Sequence, residues 1–140
     1  MNFFTALQIS ASGLAAQRTR VDVATSNLAN AQSTRGPDGT PYKRLDPVLE
    51  AVPFERTLEA AGAEAAGVQV AAVVADEGPG RKVFNPGHPD ADGDGYVTLP
   101  DVDPIHEVVN LVSAARSYEA NATAVETLKT MAQRALEIGS

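Results

Sequence analysis

The sequence predicts an α+β chain in which long N- and C-terminal helices form a coiled-coil-like bundle, with a small β-rich middle region. All nine prolines lie between positions 37 and 104, so both ends lack the residue that most strongly interrupts a helix. Apolar side chains recur at heptad spacing in both ends, whereas the middle alternates short β-prone runs with turns. The predicted segments are an N-terminal axial helix over 1–35, a β-rich region over 36–100 and a C-terminal axial helix over 101–140.

The first helix is predicted from a seven-residue repeat of large apolar side chains, formed by Leu7, Leu14, Val21 and Leu28. A second seven-residue series, mostly of small or polar residues, lies four positions before the first. Together the two series occupy the a and d positions of a coiled-coil heptad. A glycine followed by a proline at 36–37 is a strong helix breaker, and we expect the helix to stop before it.

The last helix is predicted to begin after Asp103, a good N-cap residue, with Pro104 at the first helical position. A continuous apolar stripe opens the helix, formed by Ile105, Val108, Val109 and Val112. Heptad positions then extend the apolar seam, and its main members are Leu111, Tyr118, Val125 and Leu128. Each terminal helix has an expected length of about 45–50 Å at 1.5 Å per residue, more than a compact 140-residue domain needs.

The periodicity allows two arrangements of these helices, a self-contained antiparallel pair or packing between copies. The apolar face is wider than a two-stranded seam requires, which leaves part of it exposed in a monomer. The small seam residues also bury little area in an isolated pair. We therefore predict packing between subunits, with terminal arms that become fully ordered on assembly.

Asparagines within the helices are the most informative polar residues, because asparagine is a poor helix former. At or beside a packed seam, each amide needs hydrogen-bond partners. An amide ladder between subunits would provide these partners and fix the register, whereas solvent exposure is an equally simple interpretation for Asn110. The asparagines predicted to take part in subunit packing are Asn27, Asn30 and Asn121.

The middle region is predicted to hold two strands and a short third one. Residues 42–52 contain Pro47, which suits an edge strand. Residues 68–74 alternate in a way that indicates a strand with one face mostly buried. A third strand includes residues 82–84, and the alanine- and glutamate-rich stretch 57–67 is predicted to be a loop because its glycines weaken a helix.

Composition excludes several functional classes. The net charge is −7, and the absence of a basic patch argues against nucleic-acid binding. The chain has no cysteine, so disulfides, thiolate metal sites and thiol nucleophiles are excluded. The helical serines have no neighbouring base, so we predict no enzyme activity, no cofactor and no small-molecule substrate. No apolar run is long enough to span a membrane, and the start of the sequence lacks the basic region of a cleaved signal peptide.

One acidic segment matches the spacing of a calcium-binding loop. Its acids occupy loop positions 1, 3, 5 and 12, with a glycine at position 6, and they are Asp90, Asp92, Asp94 and Asp101. The last position departs from the usual glutamate, and nearby prolines exclude the flanking helices of an EF-hand. A solvated acidic turn and a small calcium-binding module over 90–101 both remain possible at this point. The calcium-binding module is the alternative function for the chain.

Two sequence motifs resemble those of bacterial flagellar rod and hook axial proteins. The stretch SASGLAAQRTRVDVATSNLANA at 10–31 is similar to the N-terminal motif of that family, and VNLVSAARSYEAN at 109–121 is similar to its C-terminal motif. The turn at 36–44 and the acidic segment at 85–97 narrow the resemblance to the proximal rod members.

The resemblance implies a structural subunit of the flagellar basal-body proximal rod that polymerises through its terminal helices and transmits torque. It implies as partners other copies of the chain, other rod proteins, and the membrane (MS) ring and export gate side of the basal body. It also implies a periplasmic location reached by type III export without a cleaved signal peptide. A cell-wall hydrolase is a second competing interpretation beside the calcium-binding module, but it requires a carboxylate pair in a cleft, which this sequence does not indicate.

Overall fold

The fold consists of two long helices and four strands, seen in a computed structural model that describes residues 3–53 and 66–138. Along the chain the elements are α1 (Phe3–Ala29), β1 (Leu45–Pro53), β2 (Ala66–Ala75), β3 (Arg81–Phe84), β4 (Tyr96–Leu99) and α2 (Pro104–Ile138). Each sheet is a two-stranded antiparallel hairpin, β1 with β2 and β3 with β4. The α+β prediction is confirmed. Within the described ranges, neither helix is long and apolar enough to cross a membrane.

The two helices pack against each other as an antiparallel pair within the chain. Near one end of the pair, the Nδ2 of Asn27 lies 3.2 Å from the Oε2 of Glu107. Further along, a Cβ added at Gly13 would lie only 2.9 Å from the Nδ2 of Asn121. In one direction along the pair, residue numbers therefore rise in α1 and fall in α2, so the two helices are antiparallel. Small side chains allow this close approach, and the buried apolar residues of the pair are Ala16, Val23, Ala24 and Ala114.

The helix ends show how local hydrogen bonds set the boundaries. Asp103 caps α2 as predicted, because its Oδ1 accepts a hydrogen bond from the Ile105 amide at 2.9 Å. α1 ends earlier than the predicted segment limit of residue 35. The Asn30 side chain donates to the Ser26 carbonyl at 2.9 Å, and a tightened turn follows, so the chain leaves the helix before the glycine and proline are reached.

The β1–β2 hairpin runs alongside α1 and is covered at one end only. Its register pairs Leu45 with Ala75 and Pro53 with Ala66, with one bulge between Val48 and Leu49. The predicted strand over 68–74 is present in β2, but the expectation that one of its faces is mostly buried is wrong, because only one residue of β2 is buried. Among the described residues this sheet has two strands, and most positions of both strands are exposed. The predicted loop over 57–67 lies mostly outside the described residues, and its last two positions belong to β2.

The β3–β4 hairpin holds the acidic segment in its connecting loop. The predicted third strand is confirmed as β3, whereas β4 was not predicted. Asp92 organises the loop, since its Oδ1 accepts hydrogen bonds from the Asp94 and Tyr96 amides at 3.0 and 2.8 Å. Gly95 follows with a φ of 81°, a left-handed conformation that favours glycine. Within β4, Val97 is buried.

Gly80 is expected to be a sensitive position, because it has a φ of 75° and an added Cβ would lie 2.6 Å from the carbonyl oxygen of Leu99. Gly80→Ala is expected to lower the free energy of unfolding by about 1–2 kcal/mol or more, from the left-handed backbone and this contact. The matched control is Gly93→Ala, since an added Cβ at Gly93 meets nothing within 4 Å. Urea unfolding followed by circular dichroism measures both variants, and equal effects would contradict this description of the turn.

Candidate subunit interface

A buried asparagine joins the two helices to the chain segment that precedes β1. Asn27 is 1% exposed, and its Nδ2 donates to the Leu45 carbonyl at 2.8 Å as well as to Glu107. Its Oδ1 accepts hydrogen bonds from the Tyr42 hydroxyl at 2.9 Å and from the Leu45 amide at 2.8 Å. These four bonds use the donor and acceptor capacity of the amide. Asn27 is therefore satisfied inside the chain and does not need an amide ladder between subunits.

Glu107 is the charged member of the same network. The carboxylate is 2% exposed, and its Oε1 accepts a hydrogen bond from the Nε of Arg44 at 2.7 Å. Burial alone lowers the pKa of the Arg44 guanidinium. The hydrogen bond to Glu107 and the attraction of the Glu107, Asp46 and Asp76 carboxylates together raise the pKa by more, so its net shift is upward. Arg44 is thus a fixed cation that balances a carboxylate removed from water.

These residues form what we call the clasp: Asn27, Tyr42, Arg44 and Glu107. The clasp connects three parts of the chain, since Asn27 is in α1, Glu107 is in α2, and the other two residues lie just before β1. A buried ion pair is costly to desolvate and contributes little net stability. Breaking such a pair leaves an uncompensated buried charge, so the clasp strongly favours one register of the helices over its neighbours.

The start of α2 carries an apolar surface on the side away from α1. Ile105 is 77% exposed and Val109 is 60% exposed. Residues at spacings of three, four and seven share one face of a helix. In contrast, Glu107 and Ala114 on the other side of α2 are buried. This surface, which we call the head patch, consists of Ile105, Val108, Val109 and Val112.

A second apolar surface lies at the opposite end of the helix pair. The antiparallel register places Phe3 opposite Met131, so the last turns of α2 extend past Phe3. The rings of the first two described residues contact each other, with 5.6 Å between centroids. The exposed large apolar side chains at this end, which we call the tail patch, are Phe3, Phe4, Met131, Leu136 and Ile138.

The predicted seam residues occupy partly covered positions along the helix pair. The half-buried ones are Leu7, Leu14, Val21, Leu28, Leu111, Val125 and Leu128. Tyr118 is exposed, Asn121 faces Gly13, and Asn30 bonds to its own helix. Sequence reasoning missed Arg44 and Glu107, which lie 63 positions apart. No local spacing connects them, and the only indication was a lone glutamate within the apolar opening of α2.

The acidic loop does not bring its four aspartates together. The Asp90 carboxylate contacts the loop after α1: it forms an ion pair with Arg35 and accepts a hydrogen bond from the Thr34 hydroxyl at 2.8 Å. Asp92 accepts bonds from backbone amides of its own turn. Among residues 3–53 and 66–138, no group of three or more potential metal ligands is found. The calcium-binding alternative is therefore not supported, and the loop is a hairpin connection.

Comparisons with known proteins match both helical ends. A family model described as "Flagella basal body rod protein" matches residues 7–37, and one described as "Flagellar basal body rod FlgEFG protein C-terminal" matches residues 94–138. The chain is 43% identical over 141 residues to flagellar basal-body rod protein FlgC of Salmonella typhimurium, an alignment covering 99% of both chains. The chain belongs to the FlgC family of flagellar basal-body rod proteins.

Two further relatives in the FlgC family show similar identity. The relative from Bacillus subtilis is 41% identical over 149 residues, with 99% of both chains covered. The relative from Aquifex aeolicus is 44% identical over 138 residues, covering 98% of this chain and 97% of the relative. The chain is accordingly a structural subunit of the flagellar basal-body rod, not an enzyme, and it assembles with other rod proteins.

Loss of the Glu107 carboxylate tests the clasp. Glu107→Leu is expected to lower the free energy of unfolding by about 3 kcal/mol, because it leaves the largely buried Arg44 cation with only the exposed Asp46 carboxylate, 3.7 Å away. The matched control is Glu126→Leu, at an exposed position of the same helix, where a change within about 0.5 kcal/mol is expected. Urea unfolding of both purified variants provides the comparison. Similar stabilities for the two variants would show that the clasp does not hold the helix pair.

Proposed function

We propose that this chain builds the proximal segment of the rod by packing its terminal helices against neighbouring subunits, and that the resulting stack transmits torque. The observation that carries the proposal is the head patch, an apolar helix surface that nothing in the described chain covers. Apolar surface of this kind on one helix face is typical of an interaction site. In the assembled rod, neighbouring subunits bury the valines and the isoleucine of the head patch.

Torque transmission requires stiffness, which many small contacts provide better than a few strong ones. Each apolar side chain moved from water into a packed interface contributes roughly 1.5–3 kcal/mol. Obligate interfaces bury on the order of 2,000 Å² or more. In this proposal the function is distributed over the helix surfaces and no single residue carries it.

The half-buried seam residues supply the remaining contact surface. Leu7 and Leu14 on α1, and Val125 and Leu128 on α2, each retain exposed area in the isolated chain. Neighbouring subunits would complete their burial. Tyr118 is exposed and brings a hydroxyl that needs a hydrogen-bond partner when covered. We propose these positions, together with Val21, Leu28, Asn30, Leu111 and Asn121, as the subunit interface.

The proposal places the chain in the periplasm, next to the membrane (MS) ring and the export gate side of the basal body. It reaches that place by type III export with its N-terminal segment retained. The internal packing supports retention, because Ala16 and Val23 of α1 are buried in the helix pair. Cleavage of a leader after either position would remove part of the seam that holds α2.

A charge in the head patch is expected to abolish rod assembly without unfolding the chain. Val109→Asp puts a carboxylate where the proposal requires burial, at a cost of several kcal/mol per interface. The matched control is Val74→Asp, at a valine that is 49% exposed on β2, outside the helices. Both variants are expressed in cells that lack the native copy of this chain, and swimming and rod content of isolated basal bodies are measured. Loss of swimming for Val109→Asp alone is expected, and normal swimming of this variant would contradict the proposal.

A further inference from the structure

The β3–β4 hairpin carries an exposed pair of aromatic rings. Strand pairing places Phe84 opposite Tyr96, and their rings meet edge to face, with 5.3 Å between centroids and 67° between planes. Phe84 is 62% exposed and Tyr96 is also exposed, whereas the neighbouring Val97 is buried. Rings at this angle form two walls of an open corner, so we call Phe84 and Tyr96 the aromatic corner.

A carboxylate without a partner lies next to the aromatic corner. Asp94 is exposed two residues before Tyr96, and within the described residues its side chain forms no hydrogen bond or ion pair. Asp92 adds a second negative charge, since its Oδ1 accepts a hydrogen bond from the Tyr96 amide. The basic residue of this strand face, Lys82, pairs with the far end of β4. The turn beside the two rings is therefore acidic.

The segments outside the described residues attach too far away to cover the aromatic corner. Residues 54–65 begin and end at the tip of the β1–β2 hairpin, near the level of Ser12, whose hydroxyl accepts a hydrogen bond from a β2 amide at 3.1 Å. Asp90 joins the β3–β4 hairpin to the loop after α1. Ser12 lies about 25 Å from the end of α1 at 1.5 Å per residue, whereas twelve residues that return to their starting point reach about 20 Å. Residues 1–2 and 139–140 adjoin the other end of the helix pair.

We propose that the aromatic corner binds an arginine side chain in a basic segment of another protein beside the rod. This inference goes beyond the proposed stacking of helices and does not depend on it. A cation over an aromatic ring is attracted by the negative charge density of the ring face. A guanidinium also donates charge-assisted hydrogen bonds to a carboxylate, and its planar shape lets it do both at once. Asp94 thus selects a basic partner, and the net charge of −7 favours its approach.

A peptide titration tests the aromatic corner directly. The probe is a blocked hexapeptide of alternating glycine and arginine, added to the ¹⁵N-labelled full-length chain while amide shifts are recorded by NMR. Saturable shifts are expected at residues 84 and 94–96. The same peptide with neutral citrulline in place of arginine is expected to cause none. Absence of saturable shifts at these residues would overturn the proposal.

Point variants separate the aromatic corner from general attraction to an acidic chain. Phe84→Leu removes a ring face but stays apolar, and Asp94→Asn removes the charge at almost constant shape. Each is expected to weaken binding about two- to fivefold, whereas Lys82→Glu is expected to tighten it. The matched control is Glu77→Gln, an exposed acid outside the hairpin, which is expected to leave binding unchanged. Equal weakening by this control and by Asp94→Asn would contradict the proposal.

Photo-cross-linking identifies the partner in assembled basal bodies. The photoreactive residue p-benzoylphenylalanine replaces Phe84 in cells that lack the native copy of this chain, and cross-linked peptides are sequenced by mass spectrometry. The expected product is an arginine-containing segment of a different protein, with a lower yield when Asp94→Asn is added. A cross-link to another copy of this chain, or none in swimming cells, would overturn the proposal and leave the rod function standing. Failure of rod building would instead abolish swimming and leave the peptide titration unchanged.

Discussion

The hydrogen bond between Asn27 and Glu107, with Arg44 completing the charge balance, is the interaction on which the rest of the structure depends. It connects the C-terminal part of α1 to the first turns of α2, across 80 positions of sequence. Asn27 and Glu107 are almost fully buried, so a shift of one helix by a single position would leave a charge and an amide without partners. The free-energy cost of such a shift would exceed what the small alanine contacts of the seam contribute.

This arrangement decides which surfaces remain for neighbours. One side of α2 is committed to α1 through Glu107 and Ala114, so the valines and the isoleucine of the head patch must point away from the pair. The same register carries the last turns of α2 past Phe3 and exposes the tail patch. An apolar surface at each end of a stiff helix pair suits a subunit that stacks along an axis.

Both helices and the family could be predicted from the sequence, whereas the clasp could not. Heptad spacing identified both helices, and Asp103 followed by Pro104 located the start of α2, since capping depends on neighbouring residues alone. The arrangement of the helices could not be predicted, because periodicity does not distinguish a partner helix in the same chain from one in another copy. The bonds from Arg44 to Glu107 depend on tertiary contact across 63 positions. The fourth strand was missed because the aspartates before it matched a calcium loop, whereas Asp92 in fact closes a hairpin turn.

The most direct measurement asks whether α1 and α2 pair within one copy in the assembled rod. Gly13 and Asn121 are close enough for a disulfide, since a Cβ at Gly13 would lie 3.2 Å from the Cγ of Asn121. The double variant Gly13→Cys with Asn121→Cys is oxidised in isolated basal bodies and analysed on a non-reducing gel. A single monomeric band that migrates faster than the reduced chain is expected. Disulfide-linked multimers in place of that band would show that the helices pair between subunits and would contradict the account.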